Sequence, residues 1–365
     1  MSIRPVGDQR NMHKEVTSDL EGSGSDDGIE DVDLHEEHVS TDPEGLGETI
    51  YAMSTVCLIR DWVWLQRGSH ALTVRVLRMI VSLTLILAVL ALQVFLLRAV
   101  HGLLCARAVE SIRKDYGDYE LAVYGIDHVI TTVNGFNRGL DHKYLDAAKF
   151  MSMPDDKKHA ICQIPLAHQD YTFAILFIWT LTCCSDLRKT LRQIDILLFR
   201  TPTVSSVDGV LEKAEEGAVN VIGLTLPLKI VIAVLGLLPR LISVGVLNLL
   251  GCRWLLATND LSDLLLNALA LEFMMVLKEL LYSTLASQRN KFLTENTLFI
   301  TPQVGHMTVL GVVGSMAWSI VAGLWVYMYI FHWQKVLPEY RWDIHEVCST
   351  WDKAVHISGM LELFT

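Results

Sequence analysis

Two long apolar segments meeting at a polar turn near Leu256 limit what this chain can become more than any other feature. The first, GLTLPLKIVIAVLGLLPRLISVGVLNLLGCRWLL, carries Pro239-Arg240 in its middle; the second, NDLSDLLLNALALEFMMVLKELLYSTL, carries Glu272 in its middle. About 20 helical residues cross a bilayer core of ~30 Å, so each segment is long enough to span. Arg240 and Glu272 are equally far in sequence from Leu256 and would lie at one depth if both segments cross. A charge at the bilayer centre costs roughly 2.5–3.5 kcal/mol on insertion scales, so opposite charges at one depth read as a pair.

Composition agrees with a membrane protein. The chain is 51% hydrophobic and 19% charged, where soluble domains run near ~25% charged. Its net charge of −11 comes entirely from residues 1–50; the remainder is balanced and has no basic footprint for nucleic acid. The expected fold is an all-α membrane bundle of about five transmembrane helices with an acidic, disordered N-terminal tail.

Residues 1–48 are that tail, with almost no aromatic residues and too little apolar surface to fold; a docking role for a protein partner is one reading. Being polar, they hold no cleavable signal, so the first apolar segment is expected to act as its own insertion signal. Residues 49–98 read as an interfacial helix, broken by Arg60-Asp61 and Arg67, followed by a first span over Met79–Leu97. Residues 99–170 form an extramembrane domain rich in turn signals, and 171–187 a short second span. A connector with helical segments covers 188–217, the central hairpin 218–285, and a polar loop 286–307. The last span, 308–332, has a Gly311/Gly314/Ser315/Ser319/Gly323 face suited to close helix contact or oligomerisation, and 333–365 is a C-terminal tail. Lys and Arg near the span ends place the amino terminus in the cytoplasm, with 99–170 and the C-terminal tail outside.

On a helical wheel Asp260, Asp263, Asn267 and Lys278 share one stripe of the second hairpin helix, and Glu272 and Glu279 form another. Three readings stay open. The stripe lines an ion pathway; or Arg240 and Glu272 are a static pair; or 259–285 lies on the membrane surface. His101, His168 and His332 would share the outer boundary, which admits a weaker metal or redox reading, although none has a ligand partner at helical spacing. No metal, cofactor or enzyme motif is present: no Cys-x-x-Cys, phosphate-binding loop, nucleophile elbow or H-E-x-x-H. Cys162 and Cys348 both fall on the outer side in the five-span layout. They form the one disulfide it permits if that side is oxidising, whereas a four-span layout would separate them.

The stretch TNDLSDLLLNALALEFMMVLKELLYSTL resembles a signature recurring in multi-pass membrane proteins of single-celled algae and related protists. The matching positions are Asp263, Asn267, Ala268, Ala270, Leu271 and Phe273; where that pattern carries Asp-Glu, this chain has Lys278-Glu279. The resemblance implies a multi-pass membrane helix and carries no activity. The functional expectation is a channel- or transporter-like protein for a small ion, not an enzyme. The rival is a non-catalytic scaffold or receptor-like subunit that binds partners through its tail and outer segment.

Overall fold

The computed structural model describes residues 41–68, 72–213, 218–302 and 308–363. Most of the acidic tail, residues 1–40, lies outside them. Its end does not behave as a free tail. Strand β1 (Thr41–Glu44) pairs with a later strand, Leu46 is buried, and Glu44 forms an ion pair with Arg192. A free strand edge and a hydrophobic pocket supply here what the composition of the segment could not.

Helix α1 (Ile50–Gln66) starts at Thr49, whose hydroxyl caps the Ala52 amide at 3.2 Å. The sequence reads as a broken interfacial helix, but Ile50–Ile59 are all buried. The residues that break its apolar pattern have found partners. Asp61 pairs with Arg78 at 3.2 Å, Arg60 donates to the Thr297 hydroxyl at 3.1 Å, and Arg67 pairs with Asp208 at 3.2 Å. Asp61 and Arg60 are thereby desolvated without being stranded, while Arg67 stays at the surface.

Helix α2 (Leu72–Ala99) passes through a wide π-helical turn, Val100–Cys105, into the polar α3 (Ala106–Tyr124), making one 53-residue rod. The rod continues past Leu97, where the sequence predicts the span to end. After it come a small hairpin, β2 (Val129–Thr131) with β3 (Asn137–Gly139), and the short helices α4 (Ala147–Met151) and α5 (Asp155–Cys162). Helix α6 (Gln169–Ile194) runs two turns beyond the predicted limit at Leu187. The connector after it holds strand β4 (Leu211–Lys213) where VDGVLEKAEEG predicts a helix, and then β5 (Val219–Val221).

Helix α7 (Leu226–Ile232) is joined to α8 (Leu238–Leu256) by a second π-helical turn, Ala233–Leu237. Pro239 explains the turn: it lacks an N–H and clashes with the carbonyl four residues back, so a wider turn accommodates it. Helix α9 (Leu261–Leu285) follows, capped by Asp260 on the Ser262 amide at 2.7 Å. The predicted polar loop over 286–307 contains α10 (Gln288–Glu295), capped by Ser287, and β6 (Thr297–Pro302). Helix α11 (Thr308–Met328) comes next, and α12 (Ile344–Leu363) occupies the C-terminal tail.

The protein is mostly helical, yet not purely so. Strands β1-β6-β5-β4 form one sheet, with β5 and β6 parallel and the other pairs antiparallel. Segments of three to six residues, drawn from three distant parts of the chain, leave no alternating pattern to read. The sheet packs with α1, α7 and the turn after α6 around Phe299 and Leu224. A separate, larger core joins α3, α5 and α12 to parts of α6, α8, α9 and α11. There Cys162 and Cys348 are joined by a disulfide, with Cα atoms 5.3 Å apart. Among the described residues, three helices are long and apolar enough to cross a membrane: Leu72–Tyr124, Leu226–Leu256 and Met316–Trp333.

Candidate functional site

Five helices bring polar side chains together in the middle of the bundle. Helix α6 contributes Asp186 and Gln193, which are seven residues apart and so share a face. Helix α8 contributes Arg240, α9 Lys278, α1 Tyr51 and α2 Gln93. Arg240, Asp186 and Lys278 are 1%, 5% and 5% exposed. Asp186 Oδ1 accepts from Arg240 Nη2 at 3.1 Å and is also contacted by Lys278 Nζ. Arg240 Nη1 donates to Gln193 Oε1 at 2.7 Å, and Gln193 in turn donates to the Leu46 carbonyl at 2.8 Å. The guanidinium lies over the Tyr51 ring at 5.4 Å, and the Tyr51 hydroxyl donates to Gln93 Oε1 at 3.0 Å.

The structure therefore corrects the expected Arg240–Glu272 pair: the carboxylate beside Arg240 belongs to Asp186. The inward face of α9 is Leu264, Leu271, Met275, Lys278 and Tyr282, a single helical stripe. Glu272 lies roughly a right angle away from its centre and is exposed. Equal depth was not enough, because a helix sorts its residues by azimuth as well. The expected polar seam disperses along the helix axis instead, since its members share an azimuth but not a depth. Asp260 caps the helix, Asp263 is exposed in the first turn, and Asn267 donates to the Thr258 hydroxyl at 3.1 Å. Lys278 alone reaches the cluster, while its neighbour Glu279 turns to Lys189 at 3.6 Å.

Three spaces meet at these residues. A cavity of about 30 Å³ is walled by Asp186, Arg240, Lys278, Gln93 and Ser243 with apolar neighbours. A polar cleft of about 840 Å³ shares Arg240 with that cavity and is lined by Gln193, Glu44, Glu48, Lys189 and Glu279 among others. An apolar cleft of about 780 Å³ between α2 and α8 shares Gln93, Leu97 and Ser243 with it and reaches Arg98, His101 and Arg253. The small cavity beside the charge cluster thus shares wall residues with both clefts.

A second buried polar group lies in the core of α3 and α12. Glu120 and Asp343 are both fully buried. Asp343 accepts the hydroxyls of Tyr116 and Tyr124, each at 3.0 Å, and Glu120 takes the Gly139 amide. Arg138 stacks over Tyr116 at 4.8 Å but donates to the Pro338 and Asn137 carbonyls, so neither carboxyl forms an ion pair among the described residues. Burial pushes the Glu120 carboxyl up to about 7 and raises that of Asp343 above its ordinary range. These groups lie in the polar α3 and the C-terminal segment, beyond the apolar part of the rod.

The expected outer histidines do not converge. His168 contacts the Cys162 carbonyl at 2.8 Å, and among the described residues no group of three His, Cys, Asp or Glu side chains could hold a metal. On the small-residue face, Gly323 packs against Phe177, while a side chain at Gly314 would meet nothing within 4 Å. Comparison with family models, with curated proteins and with solved structures finds no match to this chain.

Proposed function

We propose that this is an integral membrane protein that moves a small ion, with Asp186, Arg240 and Lys278 at the midpoint of its path. One observation carries the reading. The buried cluster is not sealed on all sides but borders a small cavity that shares walls with a polar cleft on one side and an apolar cleft on the other. Charge deep inside a membrane bundle is expensive, and where it lines a cavity it marks a pathway by default. A static structural pair needs no such openings.

In this reading the chain crosses five times, through α2, α6, α7–α8, α9 and α11. The order is consistent with the four-stranded sheet lying at one end of the bundle and the α3–α12 core at the other. The sheet and the amino terminus are then cytoplasmic, and the disulfide faces the outer side, where oxidising conditions permit it. Membership among the algal and protist membrane proteins that share the α9 motif fits this arrangement and adds no chemistry to it. The acidic tail remains available to a protein partner, and exposed apolar residues on α2, α9 and α11 would face lipid.

The rival reading is a non-catalytic scaffold in which the same charges only pair. Reconstitution into ion-loaded vesicles separates them, using wild type and Asp186→Asn at matched protein density. The transport reading expects wild-type flux above empty vesicles and at least a tenfold loss in folded, inserted Asp186→Asn. Absence of wild-type flux for both anions and cations, or full flux in the variant, overturns it.

A further inference from the structure

The cluster contains two cations and one carboxylate, and the unmatched positive charge borders the small cavity. Asp186 is the only carboxylate on the cavity wall, since Glu279 turns away to Lys189. Hydrogen-bond donors are also left over. Arg240 Nε is buried without a partner, although both terminal nitrogens of the same guanidinium are used. Lys278 carries three N–H donors, and Asp186 is its sole partner in the cluster. Gln93 spends its carbonyl oxygen on the Tyr51 hydroxyl, which turns its amide into a donor toward its surroundings. A buried unpaired charge is costly, and unspent donors around it specify the sign of what would relieve it.

We propose that the cavity binds one small monovalent anion of halide size, held by Arg240, Lys278 and Gln93 beside Asp186. About 30 Å³ has room for one or two water-sized bodies, the scale of a single halide. The inference deepens the transport reading by giving the sign and size of the ion. It is tested by equilibrium binding, so the two can fail separately.

The experiment uses the full chain purified in detergent and follows thermal unfolding as chloride replaces gluconate at constant ionic strength. Raising chloride from ~1 to ~100 mM should lift Tm by about 3 °C, and bromide should act similarly. Lys278→Met removes the excess charge, leaves the Asp186–Arg240 pair, and should abolish the halide shift. Where that variant fails to fold, Ser243→Leu fills the cavity while keeping all three charges, and should abolish the shift as well. A wild-type Tm indifferent to halide overturns the proposal, and so does a full shift retained in either variant. Halide binding without flux leaves the site and removes the transport reading; flux without halide-dependent stability does the reverse.

Discussion

Two buried carboxylate sites in this molecule answer the same physical problem in opposite ways. In the bundle, Asp186 is kept charged by Arg240 and Lys278 from neighbouring helices. In the α3–α12 core, Asp343 and Glu120 have no cation at ion-pair distance among the described residues and rest on tyrosine hydroxyls and a backbone amide. The first solution preserves charge at a place served by two clefts. The second favours the neutral acids and builds a rigid, aromatic-walled core, with Tyr116, Tyr119, Tyr340 and Phe150 in mutual ring contact. Under the proposed function the first site has a use for its charge, whereas the second holds a structure together.

The contrast can be broken most forcefully at the disulfide. Cys348 lies on α12, close in sequence to Asp343, and its bond to Cys162 spans 186 residues. A loop of that length is worth about 5 kcal/mol in the chain-entropy picture, though typical measured values are nearer 2–4. Reduction should therefore destabilise the α3–α12 core and expose its tyrosines while the bundle stays helical. Near- and far-ultraviolet circular dichroism, followed together, check this; simultaneous loss of both signals would show that the two regions are not separable.

Next in size, Asp186→Asn should cost roughly 3–5 kcal/mol, because it strands two buried cations. Glu120→Gln at pH 6 should cost within about 1 kcal/mol, since an amide replaces a carboxyl that is already mostly protonated. Chemical denaturation of the two variants side by side measures the difference, and equal losses would erase the distinction between the sites.

The pH dependence sharpens the same point. Glu120 titrates near about 7 in the fold against an ordinary value of 4.5, so folding favours its protonated form. Its contribution is complete below about 4.5 and is lost as pH rises through about 7; Asp343, also raised, acts in the same direction. The loss amounts to at most about 3 kcal/mol. Denaturation midpoints of the disulfide-intact protein should fall between pH 5 and pH 8, and a rising profile would contradict the assignment. The smallest effect is expected at Glu272→Gln. Glu272 is exposed on a helix that the proposed topology places in lipid, so neutralising it should leave stability unchanged or raise it slightly, and a loss of more than about 1 kcal/mol would bring back the pairing with Arg240.

Much of this was legible in the residues, and what was not has identifiable reasons. The apolar segments announce helices long enough to cross a membrane, and Arg240 within one of them announces a need for a carboxylate. Its partner stayed hidden because Asp186 sits at the end of a run that looks finished at Leu187. Only when α6 continues to Ile194 does Asp186 become interior, with Gln193 on its face. The Cys162–Cys348 bond could be read from the order of the segments. The sheet could not, since three- to six-residue strands distant in sequence are specified by the groups they meet rather than by their own pattern.

On the proposed path the Arg240 cluster is reachable from both clefts. Ser243 borders the small cavity and the apolar cleft alike, which makes it the position at which to ask. In sealed vesicles of known orientation, S243C should react with a thiol reagent of ionic size, such as silver ion, applied from either side, after subtracting wild type for the five free cysteines. Reaction from both sides, slowed at least severalfold when Asp186 is replaced by Leu to clog the cluster, is the result predicted. Reaction from one side only, or from neither, would show that the cluster closes the bundle instead of opening it.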